Sequence, residues 1–121
     1  MCLDYLKKFK IHRYEGYKYF NVETEKIKFE HYYTNKNLKT NIWIKNSSFC
    51  GIEYLQTIYG DGTYQSGFHI FKHKKDAQYI VDTFLNNCKV YKVKFRRVLA
   101  KGIQDKMQVI VANEIMILDD K

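Results

Sequence analysis

Histidine, lysine and arginine side chains on two short segments of this chain are the ones best placed to do chemistry. The first segment, 67–71, reads GFHIF and has the composition of a strand. In a strand, His69 and Phe71 share one face, so the imidazole lies beside an aromatic ring. It could donate to a phosphate or act as an acid or base near neutral pH. The alternative is a structural histidine, hydrogen-bonded beneath the following helix.

A metal site is not expected. His73 follows His69 by four residues, but the chain changes from strand to helix between them, and an i, i+4 metal pair needs both on one helix. The cysteines, Cys2, Cys50 and Cys88, are odd in number and contain no C-x-x-C, so neither a zinc ribbon nor a redox motif is indicated. We expect three reduced, unpaired thiols.

The second segment, 89–97, is a basic strand. Lys92, Lys94 and Arg96 alternate with apolar residues and form a predicted row of cations about 7 Å apart, because each strand residue rises about 3.3 Å. That spacing approximates successive phosphates of a single nucleic-acid strand. Arg97 has the parity of the core-facing residues, where a guanidinium needs an acidic partner or an anionic ligand. The alternative is a solvated face, with Arg97 paired to an acid at the strand end.

Basic and aromatic residues also alternate near the N-terminus. The pattern predicts a hairpin of strands 6–14 and 17–22, with a turn at 15–16. Single-strand binders combine cations with aromatic rings in this way. An edge strand protected by lysines has the same composition.

Enzyme motifs are absent from the sequence. It contains no G-x-S-x-G, no P-loop, no dinucleotide-binding glycine pattern and no H-E-x-x-H. We therefore expect a non-enzymatic protein with no cofactor.

The composition is typical of a basic globular protein. Its 121 residues are 45% hydrophobic and 17% aromatic, and 21 Lys and Arg outnumber 13 Asp and Glu, for a net charge of +8. We expect one domain, 1–121. The charge favours anionic partners, nucleic acid included; the alternative is solubility in a lysine-rich chain. No apolar run approaches the roughly 18 residues of a membrane span. We expect no membrane association and a cytoplasmic location.

The elements that must position these residues are mostly strands. Periodicity predicts one helix over about 74–87. The order indicates an α+β fold: a twisted antiparallel-rich sheet, or a half-open barrel, with that helix packed on it. The other expected elements are strands 27–32 and 42–44, a turn at 35–37, helical turns within 49–59, a loop at 60–63, a break at Gly102, and strands 109–111 and 115–118. The predicted core residues are Phe68, Ile70, Ile80, Phe84, Val93, Phe95, Val109 and Val111.

The C-terminal half resembles a pattern found in small proteins of phages and other mobile elements. The matching segments are GFHIF at 67–71, a short helix, VYKVKF at 90–95, LAKG at 99–102 and VIVANEIMIL at 109–118. The resemblance implies an accessory phage protein. Such proteins are often counter-defence factors, including inhibitors of CRISPR effectors and sponges for immune cyclic nucleotides. It carries no catalytic residue with it.

We therefore expect a phage-encoded counter-defence protein that acts in the host bacterial cell. It would bind an anionic component of an immune system, either a cyclic nucleotide signal or the nucleic-acid channel of a CRISPR effector. A homo-oligomer, or a hetero-complex with a host defence protein, is expected. The predicted ligand contacts are His69, Lys92, Lys94, Arg96, Arg97 and Tyr59. The second hypothesis is a small RNA- or DNA-binding protein, and the third is an enzyme with an unrecognised ADP-ribosyltransferase-like or nuclease site.

Overall fold

The computed structural model describes residues 3–11, 13–23, 26–28, 38–46, 53–85 and 87–119. Strands dominate these residues, and they contain one helix. In chain order the elements are β1 (Tyr5–Leu6), β2 (Glu15–Glu23), β3 (Lys26–Lys28), β4 (Trp43–Lys45), β5 (Tyr54–Gln56), β6 (Thr63–Gln65), β7 (Phe68–Phe71), α1 (Lys74–Phe84), β8 (Cys88–Gln104) and β9 (Met107–Ile117).

Seven strands form one antiparallel sheet. Its order is β1-β8-β2-β7-β9-β4, with β3 paired to β2, and β8 also pairs with β9. The two remaining strands, β5 and β6, pair with each other. The sheet does not close into a barrel, and β2 and β7 are paired only at Tyr17 and Phe71. The expected sheet-rich α+β fold is confirmed. No helix within the described ranges has the length and apolar character that a membrane-crossing helix needs.

The longest feature is the hairpin of β8 and β9. Asp105 and Lys106 both have positive φ, 50° and 68°, as a two-residue type I′ turn requires. The predicted strand 89–97 therefore extends to Gln104, and the expected break at Gly102 is wrong. A Cβ at Gly102 would meet the backbone oxygen of Tyr5, so this glycine permits β1 to pair with β8. The two strands expected at 109–111 and 115–118 are one continuous strand, β9.

Buried apolar side chains cover both faces of the central strands. In β7, Phe68 and Ile70 face one side and Phe71 the other. We call the first cluster the inner core; its buried members are Phe20, Leu38, Ile44, Phe68, Ile70, Tyr91, Val93, Phe95, Ile110, Ala112, Ile115 and Ile117. The second, which we call the helix-side core, packs under α1 and contains Leu3, Tyr19, Tyr64, Phe71, Ala77, Ile80, Val81, Val109 and Val111.

Seven of the eight predicted core residues are buried, and Phe84 is not. Its side chain is 69% exposed. The helix ends at Phe84 rather than at residue 87, because Leu85 takes an extended backbone conformation. The buried stripe of the helix therefore consists of Ala77, Ile80 and Val81. Phe84 is the last residue of the helix and lies outside the core.

The N-terminal half departs most from expectation. The predicted hairpin is wrong, because β1 contains only Tyr5 and Leu6 and residues 15–16 belong to β2, not to a turn. The strand expected at 17–22 is confirmed within β2. Helical turns within 49–59 are also wrong where the chain is described, since 54–56 is strand β5. The strand at 42–44 is confirmed with a shift of one residue, as β4.

Several of the remaining expectations are met in part. Of the strand expected at 27–32, the structure describes only the start, in β3, and residues 29–32 lie outside the described residues. The turn expected at 35–37 and the part 49–52 of the expected helical turns also lie outside them. Within the expected loop at 60–63, Gly60 has a φ of 73°, and Thr63 already begins β6. Cys88 forms no disulfide, and Cys2 and Cys50 lie outside the described residues.

Candidate functional site

The basic row on β8 lies on an exposed sheet surface. Val93 and Phe95 are buried in the inner core, so Lys92, Lys94 and Arg96 point the other way and are exposed. This confirms the predicted alternation. Cross-strand register extends the surface over β9 and β4. We call this surface the outer face and define it by Glu15, Trp43, Lys45, Lys92, Lys94, Arg96, Arg97, Glu114 and Met116.

Arg97 does not point toward the core, as its parity predicted. Its φ is 58°, in the left-handed region that non-glycine residues rarely adopt, and this breaks the two-residue period of the strand. The inner core then receives Phe95 and Val98, three residues apart. Arg96 and Arg97 consequently both extend outward, and the Arg97 side chain is 72% exposed.

One buried carboxylate holds both arginines. Glu114 of β9 lies opposite Arg96, and its side chain is only 1% exposed. Arg96 donates from Nε and Nη2 to Glu114 Oε1, at 3.1 and 2.9 Å. Arg97 Nε lies 2.6 Å from Glu114 Oε2. The acid partner for Arg97 that the sequence left as an alternative is therefore present, and ion pairs of this kind fix the rotamers of both arginines.

Trp43 of β4 restrains Arg96 further. The guanidinium carbon of Arg96 lies 3.9 Å from the centre of the indole ring, a cation–π stack. Arg96 is thus held by a carboxylate and by an aromatic ring, while its side chain remains 48% exposed. Planar stacking with simultaneous ion pairing suits a guanidinium, not a lysine ammonium.

The lysines of the outer face differ in their partners. Lys92 Nζ lies 3.0 Å from Glu15 Oε2. This hydrogen bond lowers the pKa of the Glu15 carboxyl and raises the pKa of Lys92. Within the described part of the chain, neither Lys94 nor Lys45 makes an ion pair. The outer face therefore carries five cations against two carboxylates, and its net charge is positive.

His69 lies apart from this cluster. Its Nδ1 donates to Gln104 Oε1 over 3.1 Å, and its ring packs near Tyr64. Burial lowers the pKa of His69 to about 4; the charge of Lys18 acts in the same direction and the Gln104 hydrogen bond against it. The imidazole is therefore neutral near pH 7 and cannot act as a cation toward phosphate. This environment is that of the structural histidine that the sequence left as an alternative.

The remaining predicted contact, Tyr59, belongs to the turn between β5 and β6. Its ring is 74% exposed and lies 6.4 Å, centre to centre, from the ring of Tyr5. In the described ranges, no hydrogen bond, ion pair or ring contact joins Tyr59 or His69 to the β8 cations. Four of the six predicted contacts thus lie together.

The N-terminal basic segment offers less for base stacking than its composition indicated. Phe9 packs against the inner core, and the ammonium groups of Lys72 and Lys101 lie 5.3 and 5.7 Å from its ring centre. Lys101 Nζ also donates to the Phe9 carbonyl over 2.7 Å. Tyr14 is exposed, and its ring makes a T-shaped contact with the ring of Phe95, 5.7 Å between centres.

Sequence reasoning missed Glu114 and Trp43 as parts of the site. Glu114 was expected between the strands 109–111 and 115–118, although it is the only acidic residue in the apolar stretch 107–118. A single carboxylate in such a strand needs a cation if it is buried. The need for a cation was the feature of the sequence that could have identified Glu114 as part of the site. No feature of the sequence identified Trp43, because its contact with Arg96 depends on β4 pairing with β9.

The described ranges hold no group of three or more His, Cys, Asp or Glu side chains that could bind a metal ion.

Comparisons of the chain with known families, curated proteins and solved structures found no match.

The neutral state of His69 has a measurable consequence for stability. Unfolded histidine has a pKa near 6.5, so between about pH 6.5 and pH 4 the unfolded chain binds a proton at His69 that the folded chain does not. The stability contribution is complete above pH 6.5 and is lost as the pH falls. We expect His69 to account for about 2 kcal/mol of lost unfolding free energy between about pH 7 and pH 5.

Urea unfolding at the two pH values tests this. The His69→Gln variant should lose about 2 kcal/mol less than the unsubstituted protein over that interval. His73→Gln, at an exposed position four residues away, is the matched control substitution. Equal losses in the His69→Gln variant and the unsubstituted protein would contradict the assignment.

Proposed function

We propose that this chain is a binding protein that holds a phosphate-bearing ligand on its outer face and does not transform it. The observation that carries the proposal is the arginine pair on one buried carboxylate. Glu114 fixes Arg96 and Arg97 with their guanidinium groups directed to solvent, beside Lys94 and Lys45.

Hydrogen-bond capacity supports a phosphate as the ligand. A guanidinium has five N–H donors, and Glu114 takes two from Arg96 and one from Arg97. The other donors have no partner among the described residues and remain available for the bidentate geometry that phosphate oxygens accept. Because both side chains are already fixed, binding costs less rotamer entropy than it would at two free arginines.

The biological role that we propose is counter-defence. The resemblance of the C-terminal half to small phage and mobile-element proteins supports it, and the outer face supplies a mechanism. The protein would act in the host cytoplasm by occupying an anionic component of a bacterial immune system. A cyclic nucleotide signal suits fixed phosphate donors better than the wall of a CRISPR effector channel does, because recognition by two arginines needs only one or two phosphates.

A second function, binding of single-stranded RNA or DNA, is favoured by the position of Trp43. An aromatic ring among cations on one sheet surface is the arrangement that single-strand binders use for stacking and phosphate contact. Here the indole is stacked on Arg96, so base stacking would have to displace the guanidinium or use the opposite ring face.

Calorimetry with two ligand classes tests the proposal. We expect a cyclic dinucleotide to bind with saturable, stoichiometric heat and no turnover, and with an affinity that falls by less than about tenfold between about 50 and 200 mM salt, since only one or two phosphates are contacted. Tighter binding of a short single strand, with an affinity that falls steeply over the same salt interval, would replace the first function by the second. If neither class binds, the outer face is a solvated surface and both proposals fail.

A further inference from the structure

A pocket of about 430 Å³ lies between α1 and the paired strands β2 and β8. That volume is in the range of pockets that enclose small-molecule ligands. It opens beside the outer face, because Lys92 belongs to both. The residues that matter for its chemistry are Tyr17, Lys74, Gln78, Cys88, Val90 and Lys92.

The lining combines an aromatic and apolar side with a cationic one. Tyr17 and Val90 are half-buried and pack against the helix-side core, so they offer a ring and an alkyl surface. Lys74, in the first turn of α1, makes no ion pair within the described part of the chain. Lys92 also lines the pocket, and its ammonium group lies 3.0 Å from Glu15 Oε2, which leaves N–H donors of Lys92 for a ligand. This pairing of a ring surface with two ammonium groups is complementary to a planar base attached to a phosphate.

Gln78 adds a polar group of defined direction. Its Nε2 donates to Asp82 Oδ1 over 2.9 Å, one turn further along the helix. That hydrogen bond orients the amide and leaves the carbonyl Oε1 as an acceptor. The exocyclic amine of a base is a donor, so Gln78 could accept from it while the ring lies against Tyr17.

We propose that this pocket takes one nucleotide unit of the ligand, with the base against Tyr17 and the phosphate between Lys74 and Lys92. The proposal rests on the proposed function, because the remaining phosphates would extend from Lys92 along the outer face toward Lys94 and Arg96. It names the ligand class as a nucleotide, not a simple anion.

Cys88 supplies a reporter within the pocket. It forms no disulfide and is half-buried among the lining residues, so an occupant should shield its sulfur from alkylation. The probes are adenosine monophosphate, guanosine monophosphate and inorganic phosphate, with the alkylation rate of Cys88 followed by peptide mass spectrometry. At a ligand concentration ten times its Kd, mass action predicts about tenfold slower alkylation. We expect this for at least one nucleoside monophosphate and not for inorganic phosphate.

Matched variants locate the effect. Lys74→Ala should abolish the protection, whereas Lys75→Ala, an exposed neighbour on the same turn, should retain it. Tyr17→Leu should also abolish it, with Tyr79→Leu on the exposed side of the helix as its control. If Tyr17→Leu fails to fold, the Lys74 pair alone decides.

The outcomes separate this inference from the proposed function. Calorimetric binding of a cyclic dinucleotide without protection of Cys88 overturns the pocket and leaves the outer face as the site. Equal protection by inorganic phosphate overturns the recognition of a base. Absence of both calorimetric binding and protection overturns the two proposals together.

Discussion

Replacing Arg96 and Arg97 together by alanine is expected to lower the free energy of unfolding by about 3 kcal/mol. The Glu114 carboxylate is 1% exposed, and its only ion-pair partners among the described residues are these two arginines. Without them the fold keeps a charged group largely out of water with no ion-pair partner, which costs free energy. Denaturation by urea at neutral pH measures the loss.

A third substitution shows whether the carboxylate is the cause. Adding Glu114→Gln to the double variant removes the unpaired charge, and we expect it to recover more than half of the lost stability. Glu114→Gln alone should cost only about 1 kcal/mol, since both guanidinium groups can be solvated at the exposed surface. A triple variant no more stable than the double variant would mean that the arginines stabilise the fold by packing rather than by neutralising Glu114.

The second large effect is in the inner core. Phe95→Ala should cost about 3–5 kcal/mol, because the ring is 1% exposed and its loss leaves a cavity. Phe84→Ala is the matched comparison, an identical truncation at a 69% exposed position, and should cost less than about 0.5 kcal/mol. Thermal or urea unfolding of the two variants gives both values. Similar losses at the two positions would show that Phe84 belongs to the core after all.

The spacing of apolar residues predicted which side of a strand or helix is buried. Alternation in 89–97 identified the buried and exposed sides of β8 up to Phe95, and helical spacing identified the stripe of Ala77, Ile80 and Val81. The position at which the helix ends was missed, because periodicity gives a buried face but not the last residue that the sheet can cover. Phe84 continues the stripe in sequence and lies outside it in space.

Pairing between distant strands could not be predicted in the same way. The segment 6–14 alternates as a strand does, yet β2 pairs with β8, about 70 residues later, rather than with that segment. Composition carries no information on which partner a strand finds. Glu114 shows the same limit, because its burial follows from its place between β8 and β4.

The cations of the site were predictable and their arrangement was not. The outward direction of Lys92, Lys94 and Arg96 follows from the alternation of a strand. The outward direction of Arg97 depends on its positive φ, which an arginine side chain does not favour. Once Arg97 extends outward, one glutamate can hold both arginines. The fixed pair, which is the basis of the proposed function, therefore exists only in the folded hairpin.

Binding studies should not depend on the arginines alone, because their removal also destabilises the fold. Lys94 is the better probe: it lies on the outer face beside Arg96 and makes no ion pair among the described residues. Lys10 is a matched control, an exposed lysine of the N-terminal segment outside the outer face. Charge reversal at these two positions changes the net charge equally.

The most direct test is a calorimetric titration of a cyclic dinucleotide into the Lys94→Glu and Lys10→Glu variants, with the emission of Trp43 recorded in parallel. Trp43 is the only tryptophan and is stacked on Arg96, so its emission reports on the arginine pair. We predict that Lys94→Glu weakens binding about tenfold, that Lys10→Glu changes it less than about threefold, and that Trp43 emission follows the binding curve. Equal weakening by both variants, or binding that leaves Trp43 emission unchanged, would contradict a phosphate site on the outer face.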